Sequence, residues 1–178
     1  IWSRNPLPDV ASLQGLAIRT YDPASTNTFR SVGSAPQQLA WADVIPLLAT
    51  NGIDAVLTSA DGGVGQKFWE HVKNFSEINY AMPLSMATIN KDEFDKLSDA
   101  DKKAVLDAAA ATQERQWAAL RGRVEENYAE MSANGVAIGQ PTAEMQEAFK
   151  AASKAIVDAW AETMGDEGRG VIDAFNKK

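Results

Sequence analysis

The chain has 178 residues, a formal net charge of −7 at pH 7, 45% hydrophobic residues and no cysteine. That length and apolar content suit one folded domain, or one and a half, with a real core, and argue against disorder. Lysines and arginines scattered among acids form no basic stripe, which excludes nucleic acid as a partner. The apolar runs fall short of the ~20 residues of a membrane helix, so no membrane span is expected. Absence of cysteine removes disulfides and thiolate metal sites while leaving export open. The chain opens at Ile1 without Met or a signal-type apolar core and reads as processed or trimmed.

The first half alternates short strand-like and helix-like segments in the manner of βαβ units, which predicts an α/β fold with a parallel sheet. Gly15 to Thr20 reads as a strand, Pro23 to Val32 as a helix stopped by Gly33, and Gln37 to Ala40 as a second short strand. Trp41 to Thr50 reads as a helix closed by Asn51-Gly52, and Ile53 to Thr58 as a buried strand. Asp61-Gly62-Gly63 opens a further helix whose Val64, Phe68 and Val72 share a face. From Ile78 to Thr88 the period becomes two, with Ile78, Tyr80, Met82, Leu84 and Met86 on one side of a long predicted strand.

The second half is helical and rich in alanine. Ser98 with Asp101 three residues on is a capping signal. An apolar face then runs through Val105, Ala109, Gln113, Trp117, Leu120, Val124, Tyr128 and Met131 to Asn134-Gly135, which predicts a helix of about 35 residues, roughly 50 Å long. A rod of that length spans lobes or joins a partner chain. Val136 to Ile138 reads as a short strand. Thr142 caps a last helix that uses Met145, Phe149, Ala152, Ile156 and Trp160 and ends at Gly165.

The residue with the most chemical content is Arg19, at the end of the first strand. A guanidinium offers a planar fork of donors that two carboxylate oxygens accept together, and such a pair strengthens in a dry cleft. Spacing alone equally allows an arginine paired with Asp22 or Asp43. Thr58-Ser59-Ala60-Asp61 follows a candidate strand, at the carboxyl end where open α/β sheets place ligand contacts. Gly62 and Gly63 offer backbone N–H groups to an anion, or simply form a turn. No nucleophile elbow, phosphate loop or Cys/His pair is present.

Six motifs in order carry a resemblance over nearly the whole chain. They are Gly15-Leu16-Ala17-Ile18-Arg19, the Gly33-Ser34-Ala35-Pro36 turn, Trp41-Ala42-Asp43-Val44, Asn51-Gly52-Ile53-Asp54, the Lys67-Phe68-Trp69-Glu70 helix, and Ile89-Asn90 through Phe94 to Leu97-Ser98 at the mouth of the long helix. Together they resemble the C-terminal part of a TRAP-transporter substrate-binding protein of the DctP type. The resemblance implies a type II-like periplasmic binding fold with two α/β lobes, hinge-crossing strands and a long backbone helix, of which the N-terminal lobe is largely absent here. Residues 1–77 would form the ligand-binding lobe, and residues 78–178 the crossover strand, the lobe-spanning helix and the C-terminal helices. The implied activity is that of a periplasmic, non-catalytic receptor that binds a small organic carboxylate (a dicarboxylate, keto, sugar or aromatic acid) and hands it to membrane permease subunits, with neither cofactor nor metal.

Within that resemblance Arg19 takes the position that pairs with the substrate carboxylate, and Trp41 that of an aromatic cleft wall. Thr58 stands where the family often has Asn, which leaves Ser59 and Asp61 as further polar candidates. A second family arginine would fall just upstream of Ile1. Trp2 lies near it and, with Trp41, favours a bulky or aromatic acid over a small dicarboxylate. His71 reads as a surface residue, the methionines as core fillers, Glu125 and Glu126 as a solvated helix face, and Asp54 as structural. The competing readings are an α/β enzyme acting on small carboxylates and a helical scaffold that uses Ala100 to Met131 as a dimer face.

Overall fold

The computed structural model describes residues 1–177. Six strands form one sheet: β1 (Trp2–Ser3), β2 (Ala17–Thr20), β3 (Ala35–Gln38), β4 (Ala55–Val56), β5 (Asn74–Ser76) and β6 (Ala137–Gly139), in the order β3-β2-β4-β1-β5-β6. The sheet is parallel across β3-β2-β4 and again across β5-β6, but β1 runs antiparallel between β4 and β5. The expected parallel sheet is therefore mixed. Two residues of β1 carry no periodicity from which a direction could be read.

The helices are α1 (Pro23–Ser31), α2 (Val44–Ala49), α3 (Ala60–Gly65), α4 (Lys91–Asp95), α5 (Asp99–Ala133) and α6 (Ala143–Asn176). Adjacent residues Ile1 and Trp2 at the start of β1, and Ala55 and Val56 of β4, separate into two apolar clusters, which places the clusters on opposite faces of the sheet. Trp2 and Val56 join Phe68, Phe75, Leu48 and Met131 on one face, whereas Ile1 and Ala55 join Ile18, Phe29, Leu13 and Met145 on the other. The first face is covered by α2, α3 and the end of α5, and the second by α1 and α6. Trp2 anchors the first: its indole lies edge-on to Phe68 at 5.7 Å and Phe75 at 5.2 Å, and its Nε1 donates to the Ser59 carbonyl at 3.0 Å.

Local chemistry sets the helix starts. Asp22 caps α1 by accepting from Ser25 N at 2.7 Å, with Pro23 at the first turn, and Ser98 caps α5 by accepting from Asp101 N at 3.2 Å. Thr142 caps α6 in the same way. The 35-residue rod expected from Asp99 is present, but solvent washes most of its apolar stripe. Val105, Trp117, Leu120 and Val124 are exposed, and burial is reached only at Asn127 and Met131 near its end.

Several expectations are corrected. The predicted strand over Ile78–Thr88 does not form; the chain there has no regular structure, and Met82, Leu84 and Met86 are exposed. A strand needs a neighbour for its N–H and C=O groups, and none pairs with this segment among the described residues. Met164 is likewise exposed, so only Met131 and Met145 fill the core among the methionines. The helix expected from Asp61 through Val72 is broken: α3 starts at Ala60, and Lys67 at φ +52° turns the chain into a short 3-10 turn over Phe68–Glu70. The second strand lies two residues earlier than expected, at Ala35–Gln38, and Trp41–Asp43 form a 3-10 turn before α2. Gly165, at φ +66° and ψ −144°, is non-helical and ends the helix that starts at Ala143, as expected, and a second helical stretch, counted here within α6, follows it to Asn176.

Candidate functional site

The register of β2 places Arg19 opposite Gln37 of β3 and Val56 of β4. From there its guanidinium bridges the carboxyl ends of both neighbouring strands: Nε donates to the Leu39 carbonyl at 3.1 Å and Nη1 to the Leu57 carbonyl at 3.3 Å. Arg19 is only 6% exposed. Its cation sits 5.3 Å from the Trp41 ring and 5.7 Å from the Tyr21 ring, within reach of both π faces. Burial lowers its pKa, while Tyr21 acts in the opposite sense; an arginine nonetheless stays protonated.

Arg19 belongs to no ion pair among the described residues. Asp22, one of the two acids offered as partners by spacing, spends its carboxylate on the cap of α1. A buried cation held only by neutral carbonyls and ring faces is under-compensated, because desolvation is repaid fully only by an opposite charge in good geometry.

Trp41 is 39% exposed and packs its ring against Phe68 at 5.8 Å. A Cβ placed on Gly62 would come within 2.7 Å of Thr58 Oγ1 and 3.4 Å of both Ser59 Oγ and the edge of Trp41, so these residues converge on one point. Ser59 caps α3, its Oγ accepting from Gly62 N at 3.0 Å, while its carbonyl accepts from Gly63 N at 3.2 Å. Those two N–H groups are therefore occupied, and the reading of Gly62 and Gly63 as an anion cradle fails. Gly63 serves packing instead: a Cβ there would overlap the Trp2 indole at 2.1 Å. Trp2 is fully buried, which removes it from any cleft and with it the argument it lent to an aromatic ligand.

Beside this cluster lies a cleft of about 480 Å³. Tyr21, Thr58, Ser59 and Asp61 line it from the strand ends, and Arg123, Asn127 and Tyr128 from α5. Arg19 and Trp41 are not among its lining residues, but Tyr21, which lines it, lies 5.7 Å from the Arg19 guanidinium and so joins the cleft to the arginine. Asp61 reaches α5, with Arg123 Nε at 3.9 Å and Asn127 Nδ2 at 3.5 Å from its Oδ1. Tyr128 faces Glu77; burial first, then the Glu77 carboxylate, push its phenol up to about 12.

Sequence reasoning missed Tyr21, Arg123 and Asn127. The signals were available: period two puts Tyr21 on the same side of the extended chain as Arg19. Asn127 interrupts the apolar stripe between Val124 and Met131, with Arg123 one turn before it. His71 is half-buried without a metal set or triad around it, and Asp54 meets Arg4 at 3.8 Å in a structural pair. Glu125 and Glu126 are exposed, as read. No helix is long and apolar enough to cross a membrane, and no group of three or more potential metal ligands occurs, among the described residues.

Residues 1–163 match the model of the bacterial extracellular solute-binding protein family 7, DctP. The ectoine-binding periplasmic protein TeaA of Halomonas elongata is 24% identical over 177 residues, covering 96% of this chain and 51% of that protein. A solute-binding protein of Roseobacter denitrificans is 26% identical, covering 97% of this chain and 52% of its own length. Among solved structures, a Bordetella pertussis extracytoplasmic solute receptor binding pyroglutamic acid, DctP6, superposes with a TM-score of 0.85 at 27% identity, over 99% of this chain and 59% of that one. The chain thus spans about half the length of the curated relatives it matches. Members of the family are substrate-binding receptors rather than enzymes. With the fold and this match in agreement, the chain belongs to the bacterial extracellular solute-binding proteins of family 7.

Proposed function

We propose that this chain forms the carboxylate-binding part of a periplasmic receptor of a TRAP transport system, which closes on a small organic acid and presents it to membrane permease subunits. The observation that carries the reading is Arg19: a buried guanidinium that bridges two strand ends, lies between two aromatic rings and lacks a carboxylate partner. A ligand carboxylate would supply that charge, and Trp41 would lie flat against the ligand body. Thr58, Ser59 and Asp61 are polar groups at the same strand ends, with the Ser59 hydroxyl still able to donate while its lone pair caps α3. Two similar receptors bind pyroglutamic acid, an acid by name.

We divide the chain at residue 77: residues 1–77 act as the binding lobe, and residues 78–178 cross from it and brace it. The remaining length found in the relatives would close the cleft from the other side, over Met82, Leu84 and Met86.

Titration calorimetry of the full-length protein against an organic-acid panel tests the reading. Arg19→Ala should cost ~2–5 kcal/mol of binding, roughly 30- to several-thousand-fold, and Arg19→Lys should rescue little, since a point charge does not reproduce the fork. Unchanged titration curves for Arg19→Ala would remove the carboxylate assignment.

A further inference from the structure

The wall of the cleft that α5 supplies is chemically unfinished. Arg123 approaches Asp61 only through Nε, at 3.9 Å, beyond hydrogen-bond reach, and its Nη2 meets Gln116 Oε1 at a stretched 3.5 Å. Asn127 is 8% exposed, and the one hydrogen bond of its side chain is the 3.5 Å contact from Nδ2 to the same Asp61 oxygen. Its side-chain carbonyl has no partner among the described residues. Donors and acceptors thus face one cavity from two elements with no short bond between them, and the Asn127 carbonyl, which is open to the cleft, is free to accept from a ligand.

We propose that Asp61, Arg123 and Asn127 read a neutral group that both donates and accepts, a hydroxyl or a carboxamide, on the acid whose carboxylate pairs with Arg19. The long helix is then a specificity wall as well as a brace. This assignment deepens the receptor reading and rests on it.

The charges decide between ligand classes. Among the charged side chains that line the cleft, Asp61 and Glu77 are anionic and Arg123 is cationic. A second carboxylate approaching Arg123 must also approach Asp61 and Glu77, and like charges at short range are disfavoured. An apolar end would seal Asn127 and Asp61 away from water without partners. A hydroxyl or amide accepts from Arg123 or Asn127 Nδ2 and donates to Asp61 or the Asn127 carbonyl, so it satisfies both sides.

The test is a matched titration series on one four-carbon skeleton with the full-length protein: butyrate, 4-hydroxybutyrate, succinamate and succinate. Because Arg123 and Asp61 side chains are 37% and 60% exposed, solvent screening limits the preference to about fivefold for 4-hydroxybutyrate and succinamate over the other two. Asp61→Asn should erase most of the disadvantage of succinate, and Arg123→Gln should bring succinamate down to the level of butyrate. Succinate or butyrate binding as tightly as succinamate would overturn the proposal, as would binding by none of the four. It also falls if both variants leave the ranking intact and shift only the melting temperature, the mark of a clasp that merely fastens α3 to α5. Arg19→Ala separates this proposal from the reading beneath it. Loss of binding for all four acids upholds the carboxylate pair whatever the ranking, whereas retained binding with the ranking intact defeats that pair and leaves the helix wall standing.

Discussion

Trp2 and Phe68 are sealed from solvent on the sheet, whereas Trp117, midway along α5, is 56% exposed and Met82, in the segment after β5, is 98% exposed. The residue types are comparable, and Phe68, Trp117 and Met82 each lie in a regular apolar pattern, so pattern does not account for the difference. What separates them is the presence of a partner surface. Trp2 lies between β4 and β5 and beneath α3, where Gly63 admits its ring. The apolar stripe of α5 meets the core only from Asn127 onward. Period states which face is apolar, and packing alone states whether that face is covered.

The widest gap between the two regions should appear on truncating one aromatic in each. Phe68→Ala removes a fully buried ring from the contacts with Trp2 and Trp41, and a loss of ~3–5 kcal/mol in urea unfolding is expected. Trp117→Ala should stay within about 0.5 kcal/mol. Comparable losses at both sites would show that α5 is covered in solution and that the contrast between the regions is false.

The same distinction explains what could be read in advance. The rod of α5, its Ser98 cap, and the Asp22 and Thr142 ends are local chemistry, and local chemistry is legible in a sequence. Arg19 was legible because β2 is flanked by turn signals and a charged residue at a buried strand end needs a reason. The segment from Ile78 to Thr88 differs because alternation describes a strand suited to a partner, and no strand pairs with it among the described residues. The antiparallel β1, the burial of Trp2, and the meeting of Asp61 with Arg123 and Asn127 all depend on contacts between residues more than fifty positions apart, and no spacing rule reports those.

Arg19 gives a finer contrast within the sheet region, because it is a buried cation among apolar neighbours. Removing a buried charge that lacks a counter-ion in favour of an apolar side chain of similar length is often neutral or stabilising. Arg19→Met should therefore leave the ligand-free protein as stable or raise its stability by about 1 kcal/mol, while abolishing acid binding. A structural arginine behaves in the opposite way, since the Leu39 and Leu57 carbonyls would lose donors they depend on. A fall of several kcal/mol in ligand-free melting would place Arg19 with the core and not with the site.

The smallest effect concerns the seam where the two regions meet, at Tyr128 of α5, whose ring lies 6.0 Å from Phe75 and whose phenol faces Glu77. Burial and the Glu77 carboxylate both disfavour the phenolate, raising its pKa from 10.0 to about 12. A raised pKa means that the folded state holds its proton after the unfolded state has released it. The unfolded chain then binds fewer protons between pH 10 and about 12, and stability falls with rising pH across that window, with nothing lost below it. Because the residue is partly exposed, the loss is discounted to about 1 kcal/mol. Tyr128→Phe keeps the ring against Phe75 and removes the titrating group, so its denaturation midpoint should be nearly that of the wild type at pH 7 and less sensitive to alkali from pH 10 upward. Equal alkaline sensitivity in both proteins would mean that α5 does not hold Tyr128 against Glu77 in solution, and the seam would then be as open as the rest of the rod.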